Sequence, residues 1–148
     1  MKKLILLLTI TLPVLLSAQM PTPIQWNFEL KKNSADEYEV LITADLDEGW
    51  SIYSAHLDPD AGPIATSISF SVPESLSLIG EIKEEGKKVE GFDEIFGAHL
   101  IKYKTQVVFS QKIKAEELDL LEGSVRFMTC DDHKCLPPTQ IPFELQPE

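Results

Sequence analysis

Cys130 and Cys135 are the only cysteines in the chain, and they stand close together in Val125-Arg-Phe-Met-Thr-Cys-Asp-Asp-His-Lys-Cys-Leu-Pro-Pro138. Three chemistries suit such a segment. The first is a structural disulfide. A bond between these two cysteines would close a ring of about six residues, worth roughly 2 kcal/mol of loop-closure entropy, against roughly 4 kcal/mol for a bridge spanning about 60 residues and joining two sheets. So small a ring is a weak staple, and strain in a small ring makes a disulfide easier to reduce. That points to the second chemistry, thiol–disulfide exchange. The third is metal binding, with Cys130, His133 and Cys135 as ligands to zinc or copper and His56 or His99 as a further donor, although the spacing fits no standard zinc pattern.

The charges around the cysteines are mixed. Asp131 and Asp132 raise the pKa of a neighbouring thiol, whereas protonated His133 and Lys134 lower it. The two cationic residues lie nearer Cys135, which makes Cys135 the first candidate for the attacking or attacked sulfur. The same four residues also suit a plain solvated loop tip. Pro137 and Pro138 remove two backbone donors just beyond Cys135 and Leu136, so regular pairing should stop there and leave a rigid exposed corner.

Strands must position this segment. Ile24, Trp26, Phe28 and Leu30 alternate with more polar residues, as do Tyr38, Val40, Ile42, Ala44 and Leu46; a period of two marks half-buried strands. Further strands are expected over residues 50–53, 64–72, 76–82, 100–113, 125–129 and 140–145. Turn signals separate them at Asn33-Ser34, Asp47-Glu48-Gly49, residues 58–63, Val72-Pro73, Glu85-Gly86 and Glu122-Gly123. Only residues 115–121 read as helix. Seven to nine short strands at this spacing predict an all-β fold, an antiparallel β-sandwich. The cysteines then fall in the connection between two late strands, where a hairpin-like approach would bring their Cα atoms to about 4.5 Å and make a bond reasonable.

The compartment matters for any cysteine chemistry. Met1-Lys2-Lys3, an apolar run over residues 4–16 and Ser17-Ala18-Gln19 read as a cleaved secretory signal peptide over residues 1–18, the run being short for a spanning helix. The domain is then expected over residues 19–148, soluble, in a periplasmic or secreted and oxidising location. Cleavage leaves 130 of the 148 residues; it removes Lys2 and Lys3 from the 13 basic residues and none of the 24 acidic ones, taking the net charge from −11 to −13. Such a surface disfavours nucleic acid and anionic membranes. Steering of a basic protein partner is compatible with it.

Three segments, in order, carry a resemblance. Phe127-Met-Thr-Cys-Asp-Asp-His-Lys-Cys-Leu-Pro-Pro-Thr139, followed by an apolar strand, resembles the active-site segment of the amino-terminal periplasmic domain of DsbD, the thiol:disulfide interchange reductase. Gly91-Phe-Asp-Glu-Ile-Phe-Gly97 is similar to that family's cap loop, and Gly49-Trp-Ser-Ile-Tyr53 to its early Gly-aromatic-x-x-Tyr segment. The resemblance implies an immunoglobulin-like sandwich with a redox-active Cys130–Cys135 pair and no cofactor, which passes electrons from a membrane-embedded reductase to oxidised periplasmic proteins of thioredoxin-like or disulfide-isomerase-like type. It implies partner exchange at Cys135 and resolution by Cys130. It also implies a cap of Asp93, Glu94, Ile95, Phe96 and Gly97 over the resting pair, with Asp93 and Glu94 near enough to tune the thiols. Without the resemblance, Phe92, Ile95 and Phe96 read as ordinary packing residues. Two departures stand out: four residues separate the cysteines where the best-known members have five, and Ile95 replaces the first cap aromatic. The sequence contains neither a transmembrane electron-transfer domain nor a thioredoxin-like domain, so electrons are expected from separate proteins, with no stable membrane insertion of this chain.

Overall fold

The computed structural model describes residues 22–71 and 76–147. The expected signal peptide, residues 1–18, and the turn signal at Val72-Pro73 lie outside them. Nine strands are described: β1 (Ile24–Lys32), β2 (Glu37–Leu46), β3 (Ser51–Tyr53), β4 (Ser67–Ser71), β5 (Leu76–Asp93), β6 (Ala98–Ala115), β7 (Leu121–Phe127), β8 (Thr129–Cys130) and β9 (Thr139–Leu145). All pairings are antiparallel. One sheet has the order β1-β2-β6-β3-β8, with β5 along the other edge of β6, and the second has the order β4-β7-β9. This is the expected all-β, immunoglobulin-like sandwich.

The alternation that marks the strands also builds the core. Along β2, Tyr38, Val40, Ile42, Ala44 and Leu46 are buried while residues between them are not, and the same cluster takes Phe109 and Ile113 from β6 and Val125, Phe127 and Phe143 from the second sheet. Trp26 links the sheets, its ring 4.9 Å from that of Phe127 and 6.4 Å from that of Phe109. Each fully buried Val, Leu, Ile or Phe here contributes roughly 1.5–3 kcal/mol.

Three local expectations fail, each for a packing reason. Residues 115–121 form no helix: Ala115 ends β6 with its N–H donated to the Asp36 carbonyl at 2.9 Å, and Leu121 begins β7. Ala115, Leu118 and Leu121 are all buried, so a spacing of three that reads as helical is produced by an irregular crossing dipping into the core. Glu85-Gly86 is not a turn but lies within β5, beside a register irregularity between Gly86 and Lys87. A Cβ on Gly86 would lie 2.9 Å from Val107 Cα and would also meet the Gln106 carbonyl. Glu122-Gly123 likewise lies inside β7, where the Phe143 ring covers Gly123.

The strand that matters most for the site is β6. Its second half pairs with β2 and its first half with β3, at Ser51↔Lys104, Ile52↔Tyr103 and Tyr53↔Lys102. β5 runs beside nearly all of it, so β5 and β6 form one long hairpin whose tip lies between Asp93 and Ala98. The hairpin holds a deliberate irregularity at Gly80 (φ 69°), where the buried Gln111 side-chain amide donates to the carbonyls of Ile79 at 3.1 Å and Gly80 at 3.4 Å. Gly80 falls in the register shift between Ile79 and Lys83, where regular pairing is interrupted.

Candidate functional site

The cysteines sit on a narrow hairpin hung from β3. Cys130 ends β8 and pairs with Ser51, whose Oγ donates to the Cys130 carbonyl at 3.1 Å. The chain turns through residues 131–134 and returns so that Cys130 and Cys135 face each other as an isolated antiparallel pair. Asp131 N–H donates to the Lys134 carbonyl and Leu136 N–H to the Thr129 carbonyl, both at 2.9 Å. The sulfurs are bonded at 2.04 Å, with the Cα atoms 4.0 Å apart. The expected hairpin-like approach is therefore present. Asp131 shapes the turn: its Oδ1 accepts the N–H groups of His133 and Lys134, each at 2.7 Å. These two bonds, the His133 one first, hold its carboxyl below the ordinary carboxylate value.

The two cysteines differ in burial. Cys130 is 2% exposed, whereas Cys135 is only partly buried. Both belong to a small apolar cluster apart from the main core, made of Tyr53, Leu100 and Met128 with Phe96 and Ile64 at its border.

Phe96 comes from the tip of the β5–β6 hairpin, the segment matched above to a cap. Phe92↔His99 and Asp93↔Ala98 are the last paired residues; the tip closes by Gly97 N–H to the Asp93 carbonyl at 2.8 Å, with Gly97 at φ 65°, a conformation that favours glycine. The Phe96 ring turns inward and meets Tyr53 edge-on, centroids 5.9 Å apart. Ile95 and Phe92 are 47% and 60% exposed, and Glu94 is exposed. Phe92 and Ile95 are thus not core residues, and of the side chains expected to form a cap it is Phe96 that packs against the cysteine cluster.

Asp93 anchors the tip. Its side chain is 5% exposed; Oδ1 accepts Ile95 N–H at 3.0 Å and Phe96 N–H at 3.4 Å, and Oδ2 accepts from Lys102 Nζ at 3.0 Å. Burial pushes this carboxyl up, but the Lys102 hydrogen bond and charge, with the Phe96 and Ile95 N–H groups, outweigh burial and hold it below its ordinary value. Beneath it, Tyr53 is wholly buried and its hydroxyl has no full hydrogen-bond geometry. Burial first, and then the charge of the nearby Asp93 carboxylate, push that phenol up. The hairpin tip and the cysteine turn meet at a hollow of about 220 Å³ lined by Phe92, Asp93, Glu94, Ile95, Lys102, Asp131 and Asp132.

A second polar cluster fixes the chain just after Tyr53. Glu84 Oε2 accepts from Ser54 Oγ at 2.7 Å and from Tyr103 OH at 3.0 Å, and Oε1 accepts Ala55 N–H at 2.5 Å. Burial and the Glu84 charge push the Tyr103 phenol up to about 12. His56 is engaged with the Ile82 carbonyl at 2.8 Å, and the His99 ring lies against Phe92. Among the described residues no group of three or more His, Cys, Asp or Glu side chains is arranged to hold a metal. Sequence reasoning missed Lys102, Glu84 and the carboxylate bonds of Asp131. Only the last had a signal, an Asp followed at two residues by a loop N–H, the pattern of an Asx turn.

A family model described as thiol:disulfide interchange protein DsbD, N-terminal, matches residues 17–147. No curated protein matches the chain in sequence. Among solved structures, the N-terminal periplasmic domain of ScsB from Proteus mirabilis superposes with a TM-score of 0.64 at 20% identity, over 85% of this chain and 47% of that one. The chain thus spans about half the length of that relative. The reduced DsbD N-terminal domain of Neisseria meningitidis gives a TM-score of 0.56 at 16% identity, over 82% of this chain and 84% of that one. The same organism's DsbD N-terminal domain in complex with the PilB N-terminal domain gives 0.55 at 14%, over 86% and 87%. These likenesses show the sandwich fold.

Proposed function

The chain belongs to the family of DsbD N-terminal domains, and from that premise we propose that it is a periplasmic thiol–disulfide exchange module whose working group is the Cys130–Cys135 pair. The observation that carries the reading is the placement of a short-ring disulfide between one buried and one partly exposed cysteine in a cluster bordered by Phe96. A staple for the sandwich would join the two sheets; this bond joins neighbours on one hairpin.

In the reduced module, the Cys135 thiolate attacks a partner disulfide; a Cys135–partner bond forms and one partner sulfur leaves as thiolate. Cys130 thiolate then attacks Sγ of Cys135. The intramolecular disulfide forms, the mixed bond breaks, and the second partner sulfur leaves, so two electrons pass to the partner and its thiolates take up protons. A donor dithiol reverses the sequence to recharge the pair. Cys135 takes the intermolecular role because a partner sulfur must approach in line with the bond it breaks, and Cys130 is covered. Phe96, held by the Asp93 clamp, restricts that approach in the resting state; Glu94, Ile95 and Gly97 complete the cap. Exchange is then confined to partners able to displace the tip, which gives selectivity through access.

The partners are thioredoxin-like or disulfide-isomerase-like periplasmic proteins, with a separate membrane reductase as electron source. The Neisseria DsbD N-terminal domain forms a complex with a PilB domain, which supports a protein partner, and the ScsB relative is a periplasmic domain, which supports the location. Cys130→Ser tests the division of labour: it should leave Cys135 able to capture a thioredoxin-like protein as a stable mixed disulfide, whereas Cys135→Ser should not. Equal capture by both variants, or by neither, contradicts it.

A further inference from the structure

We propose that Asp131 is a positioning residue for the exchange reaction, its carboxylate keeping the turn between the cysteines closed while their disulfide is open, so that Cys130 stays within reach of the sulfur of Cys135. The inference deepens the exchange reading and rests on it.

While the sulfurs are bonded, the hairpin is closed covalently. Once a partner is attached at Cys135, that tie is gone, and the turn depends on hydrogen bonds. Cys130 remains fixed by β3, through its pairing with Ser51 and the Ser51 Oγ bond to its carbonyl. Cys135 has no such neighbour strand: Pro137 and Pro138 follow it without N–H groups, and β9 begins only at Thr139. The position of Cys135 relative to Cys130 therefore rests on four backbone donors. Asp131 N–H reaches the Lys134 carbonyl and Leu136 N–H the Thr129 carbonyl; His133 and Lys134 N–H both end on Asp131 Oδ1 at 2.7 Å. One side-chain oxygen thus holds half of the turn. Its neighbour Asp132 is exposed.

The resolving step is intramolecular. Its rate and the stability of the disulfide formed both scale with the effective concentration of Cys130 around Cys135, which falls when the turn opens into many conformers. A carboxylate has two separable effects here. As acceptor it closes the turn; as charge it disfavours a nearby thiolate. Asn keeps the acceptor and removes the charge, while Ala removes both.

The test compares the wild type with Asp131→Ala, Asp131→Asn and Asp132→Ala, using glutathione as the probe. Two quantities are read: the equilibrium constant for disulfide formation in glutathione buffers, and the rate of release from the Cys135–glutathione mixed disulfide. Asp131→Ala should lower each by about tenfold, which for the equilibrium is a potential about 30 mV less negative. Asp131→Asn and Asp132→Ala, which each remove a charge and leave the turn its acceptor, should both stay within about threefold of the wild type. Ala matching the wild type, Asn falling as far as Ala, or Asp132→Ala falling as far as Asp131→Ala would each overturn the inference. Should Asp131→Ala fail to fold, amide exchange decides instead: His133 and Lys134 N–H groups protected in the reduced wild type support the clamp, and loss of their protection on reduction refutes it. The absolute potential of the wild type reports on the exchange reading, and the differences between variants report on the clamp, so either can fail alone.

Discussion

Replacing Phe96 by Ala should open the disulfide to small thiols. The Phe96 ring makes an edge-on contact with Tyr53 at 5.9 Å and is partly buried at the border of the cysteine cluster. An aromatic pair of this kind is worth about 0.5–1.5 kcal/mol beyond burial, and covering part of the ring adds roughly 1 kcal/mol. Losing both weakens closure of the tip by about 2 kcal/mol, a factor of about 30 in its closed-to-open ratio. If closure governs access, the second-order rate of disulfide reduction by glutathione at neutral pH, followed by acid quench and thiol counting, should rise by about that factor. Phe92→Ala is the matched control. Phe92 is 60% exposed on the same tip, and its loss should change the rate less than about twofold. A Phe96→Ala rate within twofold of the wild type, or an equal rise in Phe92→Ala, would refute the idea that Phe96 shields the pair.

Two further outcomes follow from the packing. The Asp93 carboxyl is held below its ordinary value of 3.8 in the folded chain, so its stabilising contribution is complete above that pH and is lost as pH falls through the lower folded value. Urea denaturation should show the wild type more stable than Asp93→Asn by about 1–3 kcal/mol near neutral pH, with the gap shrinking below about pH 4; a gap constant down to about pH 2 contradicts the assignment. Gly123→Ala would place a Cβ against the Phe143 ring and 2.7 Å from the Ser69 carbonyl oxygen, which should cost about 1–3 kcal/mol in the same assay. No measurable loss would mean that β4, β7 and β9 pack less tightly than the structure has them.

The sandwich was legible because period-two burial leaves its mark on each strand, most clearly at Tyr38, Val40, Ile42, Ala44 and Leu46. Glycine misled where its role was close approach rather than turning: Gly86 and Gly123 sit in strands because a neighbouring carbonyl or ring occupies the space of a Cβ. That is a tertiary fact, with no local trace. The expected helix at 115–121 failed similarly, since Ala115, Leu118 and Leu121 are buried by an irregular crossing. At the site, the cysteine hairpin could be anticipated, whereas nothing local singled out Phe96 from Phe92 and Ile95 as the side chain that turns inward. The Asp93–Lys102 pair and the Glu84 cluster could not be anticipated, because each joins side chains whose meeting depends on register and strand twist. Asp131 lay between: its two backbone bonds are local, and the sequence had suggested only its charge.

The reduction potential of the Cys130–Cys135 pair, measured at equilibrium against glutathione or dithiothreitol buffers, separates an exchange disulfide from a structural one. An exchange module requires a disulfide that periplasmic dithiols can reduce and re-form, so the potential should be less negative than about −300 mV. A value well below about −300 mV would mark the bond as a structural one and contradict the account.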